Sequence, residues 1–114
     1  MSATKLSIRL DLPGGGRFGP GKAALLSAIA DAGSISGGAR TLTMSYPRAL
    51  RLVGEMNTQF KEPLVETYQG GAKRGGAKLT ATGANILHLY GEMRAASTAA
   101  SGPYLKAISA RASR

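Results

Sequence analysis

The sequence holds no cysteine and a single histidine. The first absence removes disulfide scaffolds, thiolate metal sites and Cys nucleophiles, and the second removes any multi-histidine metal centre. Tryptophan is missing and aromatics make up only 5% of the chain, so large aromatic anchors cannot dominate its packing. No apolar run approaches the ~18 residues of a membrane-spanning helix. The alternating segment from Met1 to Leu12 also lacks the apolar centre of a secretory signal. The expectation is a cytoplasmic protein with no membrane attachment, no metal and no cofactor. Acidic residues are scarce too: six Asp and Glu stand against 15 Lys and Arg, a formal net charge of +9. That surplus favours a polyanionic partner and leaves the fold open.

What remains is a chain of 114 residues, 43% hydrophobic, the size of one domain with a modest core. Leu6, Ile8, Leu10 and Leu12 alternate with polar residues and predict a short N-terminal strand, ended by Pro13 and Gly14 to Gly16. A helix follows over about 20–32, with Leu25, Leu26, Ile29 and Ala32 on one face and Gly33 as its stop. Two short helices come next. Ser34 caps the first, Ile35 to Leu42, whose inner stripe is Ile35, Ala39 and Leu42. After a tight turn at Thr43 and Met44, Ser45 caps the second, with Pro47 in its first turn. It runs to about Gln59, and Ala49, Leu50, Val53 and Met56 are expected to face inward.

A strand over 63–68, a Gly-rich loop over 69–77 and a returning strand over 78–80 form a hairpin. Thr80 or Thr82 then caps a long helix to about Ala100, which Ser101-Gly102-Pro103 is expected to break. The order predicts an α+β winged helix-turn-helix: a three-helix core, a β-hairpin wing, a short N-terminal strand and a long C-terminal dimerisation helix. The domain is expected over residues 1–100, with the long helix at about 81–100. Residues 101–114 are left as a tail that forms one short helical turn or stays disordered.

The chemistry follows from that order. A major groove about 12 Å wide admits one α-helix, and residues near the start of that helix reach base edges. Here those are Ser45, Tyr46, Pro47 and Arg48, with Arg51 one turn later. Gly37, Gly38 and Ala39 are small enough for the two short helices to approach closely. Between Ser34 and Gly54 the chain has Arg40, Arg48 and Arg51 and no acid, and between Gln69 and Leu79 it has Lys73, Arg74 and Lys78, again with no acid. Arg48 and Arg51 are candidates for base or groove-wall contacts. Ser34, Ser36 and Ser45 are candidate phosphate ligands, and Lys73, Arg74 and Lys78 are candidate backbone contacts from the wing. The plain alternative for such charges is a solvated face. Tyr46 either meets DNA or packs as the first-turn aromatic of its helix.

Several segments resemble the N-terminal DNA-binding domain of ModE-type molybdate-responsive regulators. They are Ser34-Ile35-Ser36, Gly38-Ala39, Leu42, Met44-Ser45-Tyr46-Pro47-Arg48-Ala49, Glu55-Met56-Asn57, Leu64-Val65-Glu66-Thr67, the Gly70-Gly71 and Gly75-Gly76 pairs, and Leu79-Thr80 to Gly83. Ala39, Leu42, Ser45 and Pro47 also fall in the register of the LysR-type helix-turn-helix. The resemblance implies a transcription regulator that binds double-stranded DNA as a homodimer, much of the dimer contact coming from the long helix. Leu89, Met93, Ala96 and Ala100 form a stripe beside the one containing Ile86 and Tyr90. Either the first stripe meets a second subunit or both belong to one wide core face. Full-length members of the family add molybdate-binding domains, for which Ser101 to Arg114 is too short. These residues are therefore expected not to sense the oxyanion, leaving regulation to a separate effector-sensing protein or to abundance. Two alternatives keep the fold: a protein-interaction module, or a non-specific architectural DNA-binding protein.

Two motifs suggest enzymes and do not complete them. Gly16-Arg17-Phe18-Gly19-Pro20-Gly21-Lys22-Ala23 nearly matches a phosphate-binding loop, but Ala23 stands where a Mg²⁺-ligating Ser or Thr is required. It is expected to be a turn with Lys22 exposed. His88 and Glu92, four apart on one helix, lack a nucleophile and suit surface pairing or a dimer seam. No catalytic residue is expected.

Overall fold

The N-terminal end of the chain folds back on itself before the first helix. A computed structural model describes residues 4–70 and 73–113, with side chains for 4–69 and 75–113. Strand β1 (Leu10–Asp11) pairs antiparallel with β2 (Arg17–Phe18). Between them Gly14 and Gly15 adopt φ of +88° and +95°, a region that glycine enters without steric cost. Leu12 N–H donates to Gly16 C=O at 2.7 Å and closes the turn. The expected strand over 6–12 is thus only its last part, and β2 lies inside the segment that resembles a phosphate loop. That loop is a hairpin because Phe18 is needed inside: it is fully buried, stacked edge-on to Tyr90 (5.3 Å, 78°) and Phe60 (6.0 Å, 81°).

Helix α1 (Pro20–Ala32) ends at Gly33 in the left-handed conformation (φ 78°), whose N–H donates to Ile29 C=O. Its Leu25, Leu26 and Ile29 are fully buried, as expected, whereas Ala32 is exposed and Ala28 takes its place inside. Helix α2 (Ile35–Thr41) crosses closely. A Cβ on Gly38 would stand 2.9 Å from Ile29 Cγ1 and 3.1 Å from its backbone nitrogen, so only glycine permits this approach. Thr43 turns the chain at φ 54°, and α3 (Tyr46–Gln59) follows.

Strand β3 (Val65–Gly70) pairs antiparallel with β4 (Lys73–Leu79), Val65 opposite Leu79 and Glu66 opposite Lys78. The wing is therefore longer than the pattern predicted, because the glycines there pair as strand instead of looping. Gly75 and Gly76 give the reason for their size. A Cβ on either would collide with Tyr68 on the facing strand.

Helix α4 (Ala81–Ser109) is capped by Thr80, whose Oγ accepts from Gly83 N–H at 2.9 Å. It does not break at Ser101-Gly102-Pro103 but runs through Pro103. Proline removes one N–H, leaving a carbonyl four residues back without its helical donor, but that carbonyl belongs to exposed Ala99, where water can serve it. The extended N-terminal segment also lies along this helix. Tyr90 Oη donates to Ile8 C=O at 2.6 Å, and Thr4 Oγ1 donates to Ser109 Oγ at 2.8 Å. Tertiary contact outweighs local propensity here.

Two glycines of α4 predict opposite outcomes. A Cβ on Gly83 would overlap the Leu64 carbonyl oxygen, whereas one on Gly91 would meet nothing within 4 Å. Gly83→Ala is expected to lower unfolding free energy by roughly 1–3 kcal/mol or more, and Gly91→Ala to raise it by about 0.5–1 kcal/mol, both read from urea melts.

Candidate nucleic-acid interface

The inner face of α3 is sealed and its outer face is bare. Ala49 and Met56 are fully buried and Val53 nearly so; each larger apolar side chain contributes roughly 1.5–3 kcal/mol on burial. Leu50, expected inside, is instead 46% exposed, since the helical period carries it past the core edge. Ser45 Oγ accepts from Arg48 N–H at 3.2 Å and Ser34 Oγ accepts from Gly37 N–H at 2.9 Å. Each hydroxyl then keeps its proton to donate outward. Ser36 is exposed beside Ser34.

The exposed surface of α3 divides into three strips. Tyr46 and Leu50 border a cleft of about 390 Å³ shared with Ser34, Ser36, Tyr68 and Gln69. Pro47, Arg51 and Gly54 are exposed on the outermost ridge. Arg48 and Leu52 turn the other way, toward the N-terminal hairpin. The structure thus brings the expected residues of α2 and α3 onto one surface and separates Arg48 from Arg51 on it.

Glu55, one residue past the acid-free stretch of the helix-turn-helix, is shared by two cations. Glu55 Oε2 pairs with Arg51 Nη1 at 3.2 Å, and Glu55 Oε1 with Lys22 Nζ at 3.1 Å. Lys22 is not the exposed residue expected: its side chain is 11% accessible and it donates to Arg17 C=O at 2.7 Å. With the Gln59 amide oriented to its neighbours, Gln59 accepts from Lys22 Nζ at 2.6 Å and donates to Arg17 C=O at 3.1 Å. All three ammonium protons then have acceptors, and β2, α1 and α3 are tied together. Asn57 does the same for α3 and the wing. Its Oδ1 accepts from Leu64 and Val65 N–H at 2.9 and 3.0 Å, and its Nδ2 donates to Val65 C=O at 3.0 Å. Periodicity carries no sign of either role, because a polar residue at a helix edge looks the same whether it is solvated or latched.

On the wing, Ala77 N–H donates to Gly33 C=O at 2.9 Å and anchors β4 to the end of α1. Lys78 is exposed and pairs across the strands with Glu66 at 3.6 Å. Lys73 and Arg74 belong to β4 by backbone, and their side chains lie outside the described residues. On α4, Leu89 is 54% exposed, and Ala96 and Ala100 are exposed beside it. Met93 is different: it is half-buried and packs against the core, so the expected stripe is divided. Tyr104 and Ile108 extend the exposed apolar set. His88 and Glu92 are exposed and form no ion pair among the described residues. No helix is long and apolar enough to cross a membrane, and no group of metal-ligating side chains occurs among the described residues.

The hydrogen bond from Lys22, aided by the charges of Lys22 and Arg51, holds the Glu55 carboxyl below its ordinary pKa against the opposing effect of burial. A lowered carboxylate pKa contributes stability that is present above the unfolded-state value, near 4.3, and is lost as pH falls through the folded-state value. The wild-type chain is therefore expected to lose stability on acidification below about pH 4.3 more steeply than Glu55→Gln, compared by thermal melts across pH.

A family model described as "Bacterial regulatory helix-turn-helix protein, lysR family" matches residues 22–84. The chain is 36% identical over 104 residues to the molybdenum-pterin-binding protein MopA of Rhodobacter capsulatus, covering 91% of this chain and 39% of that protein. It is 44% identical over 71 residues to the transcriptional regulator ModE of Yersinia pestis, covering 62% of this chain and 27% of ModE. It is 42% identical over 71 residues to the DNA-binding transcriptional dual regulator ModE of Escherichia coli K12, again 62% and 27%. The chain thus spans about two fifths or less of the length of these relatives. With α2 and α3 forming the helix-turn-helix and β3–β4 the wing inside the matched span, this chain belongs to the LysR family of bacterial regulatory helix-turn-helix proteins.

Proposed function

We propose that this chain is a transcription regulator that binds duplex DNA as a homodimer, with α3 in the major groove. What carries this reading is the outer ridge of α3. Pro47, Arg51 and Gly54 stand exposed while Ala49, Val53 and Met56 hold the opposite face immobile. A rigid helix with an arginine on its crest suits groove entry, and Arg to guanine is the commonest specific pairing. Arg51 is the base reader and Arg48 the groove-wall contact. Ser34, Ser36 and Ser45 donate hydroxyls to phosphates, Tyr46 and Pro47 meet the groove edge, and Lys73, Arg74 and Lys78 follow the backbone from the wing. Tethering by Glu55 limits the rotamers of Arg51 before binding, which lowers the entropy lost on contact. The likeness to ModE and MopA supports molybdenum-related genes as the regulated set.

The homodimer reading rests on Leu89, Ala96 and Ala100. They form an apolar strip on the side of α4 that the core leaves uncovered, and a self-complementary helix pair would bury it. Two bound copies would present two α3 helices to successive turns of DNA.

A duplex selected from a random pool tests the DNA reading. Arg51→Ala is expected to cost about 1–3 kcal/mol on that duplex and to relax preference at one base position. Lys78→Ala is expected to weaken selected and random duplexes alike and to make the salt slope shallower by about one. Identical behaviour of the two variants on both duplexes would refute the role given to α3. For the dimer, sedimentation is expected to show the wild-type chain as a dimer and Leu89→Glu as a folded monomer. A monomeric wild type at the highest soluble concentration refutes that part.

A further inference from the structure

The fold places the cations of the segment Gly16 to Ala23, which resembles a phosphate-binding loop, beside α3. On the flank of α3 away from the wing, Arg9, Arg17 and Arg48 line a cleft of about 510 Å³ together with Gly19, Pro20 and Leu52. The three arginines come from separate elements: the extended N-terminus, β2 and the first turn of α3. No acidic residue lines this cleft. Among the described residues the side chains of Arg17 and Arg48 take part in no ion pair. Arg9 is held only by Asp11, through a bridge of 3.2 Å between groups more than half exposed, a contact worth little in water. Lys22 also borders the cleft, but its protons are already committed to Arg17, Glu55 and Gln59.

Among the described residues the opposite flank differs. The cleft between α3 and the wing is lined by the uncharged Ser34, Ser36, Tyr46, Thr67, Tyr68 and Gln69. Lys78 on that wing already faces Glu66. So Arg17 and Arg48, which have no ion-pair partner among the described residues, gather on the hairpin side. Gathering guanidinium groups without a counter-charge is unfavourable unless an anion comes to lie among them.

We infer that β1–β2 is a second wing, and that Arg9, Arg17 and Arg48 bind the phosphodiester backbone of DNA. The inference rests on the reading of α3 as the groove-entering helix. With a helix lodged in a groove about 12 Å wide, one strand's backbone passes along each of its flanks. The wing attends one backbone and the N-terminal hairpin the other. Arginine suits the second task, because its planar fork meets two phosphate oxygens at once. The contact carries no sequence information and adds affinity to every duplex equally. Arg48 thereby faces the groove wall, which fits its separation from Arg51 on the helix surface.

The test measures binding of the full chain to selected and random duplexes by fluorescence anisotropy over a salt series, with hydroxyl-radical footprints on the selected duplex. Arg9→Ala combined with Arg17→Ala is expected to make the salt slope shallower by about two, since each released phosphate contact removes about 0.9. Affinity should drop by one common factor on both duplexes, and protection should vanish at one backbone edge of the footprint. Arg94→Ala combined with Arg111→Ala removes the same charge from α4 and beyond it, and is expected to leave slope and footprint unchanged. Asp11→Asn, which releases Arg9, is expected to tighten binding to both duplexes more than Asp31→Asn does, a comparison independent of any loss of fold in the double variant. If wild type binds the selected duplex and the Arg9/Arg17 variant matches it in slope and footprint, the second wing is refuted and the groove-entering helix stands. Equal losses in the two double variants attribute the effect to bulk charge and also refute the second wing. A wild type that binds no duplex at low salt overturns both readings.

Discussion

Everything in this domain depends on clamping one side of a fourteen-residue helix so that its other side stays bare. Apolar burial of Ala49, Val53 and Met56 supplies most of the grip. Burial alone resists withdrawal better than rotation, and rotation would move every residue of the exposed face. Two polar devices oppose it. Lys22 and Gln59 tie the hairpin to one flank of α3, and Asn57 ties the far end of α3 to the start of the wing. Phe18, brought inside by a two-residue strand, closes the core from beneath. The helix is thus fixed about its own axis as well as against its neighbours, a preorganisation that lowers the ordering cost of binding.

The electrostatics follow from the same arrangement. A linear count separates the acids from the basic stretches, and folding undoes much of that separation. Glu55 pairs with Arg51 one turn away on α3 and with Lys22 on α1, and Glu66 faces Lys78 across the wing. The partnered cations are oriented and partly neutralised, whereas Arg17 and Arg48 have no ion-pair partner among the described residues. Net charge attracts a polyanion from a distance, but the distribution after pairing selects the surface on which it lands.

Helix α4 illustrates a division of labour along one element. Gly83, Tyr90 and the half-buried Met93 serve the core, while Leu89, Ala96 and Ala100 face away from it. Its passage through Pro103 shows how little one missing hydrogen bond weighs on a solvent-exposed stretch that the N-terminal segment braces at Thr4 and Ile8. The extra length lets a single helix bind the N-terminus and still offer an apolar strip elsewhere.

Strand β2 was not legible in the amino-acid sequence, but the order of elements from α1 onward, the caps Ser34 and Ser45, Thr80 or Thr82 as the cap of α4, the glycine stop at Gly33 and the close approach at Gly38 were. Each rests on interactions within a few residues or on small size at a helix crossing, and such local physics leaves a mark on composition and period. The positions of Phe18, Lys22, Asn57 and Leu50, the pairing of the wing glycines and the persistence of α4 past Gly102 were decided by tertiary structure alone. Those features depend on which distant backbone oxygen, carboxylate or aromatic edge arrives beside a side chain, and a one-dimensional pattern holds no record of that arrival. The same holds for Arg48 and Arg51. Sequence spacing put both on a recognition helix, and only the packed neighbours of that helix gave each its own flank.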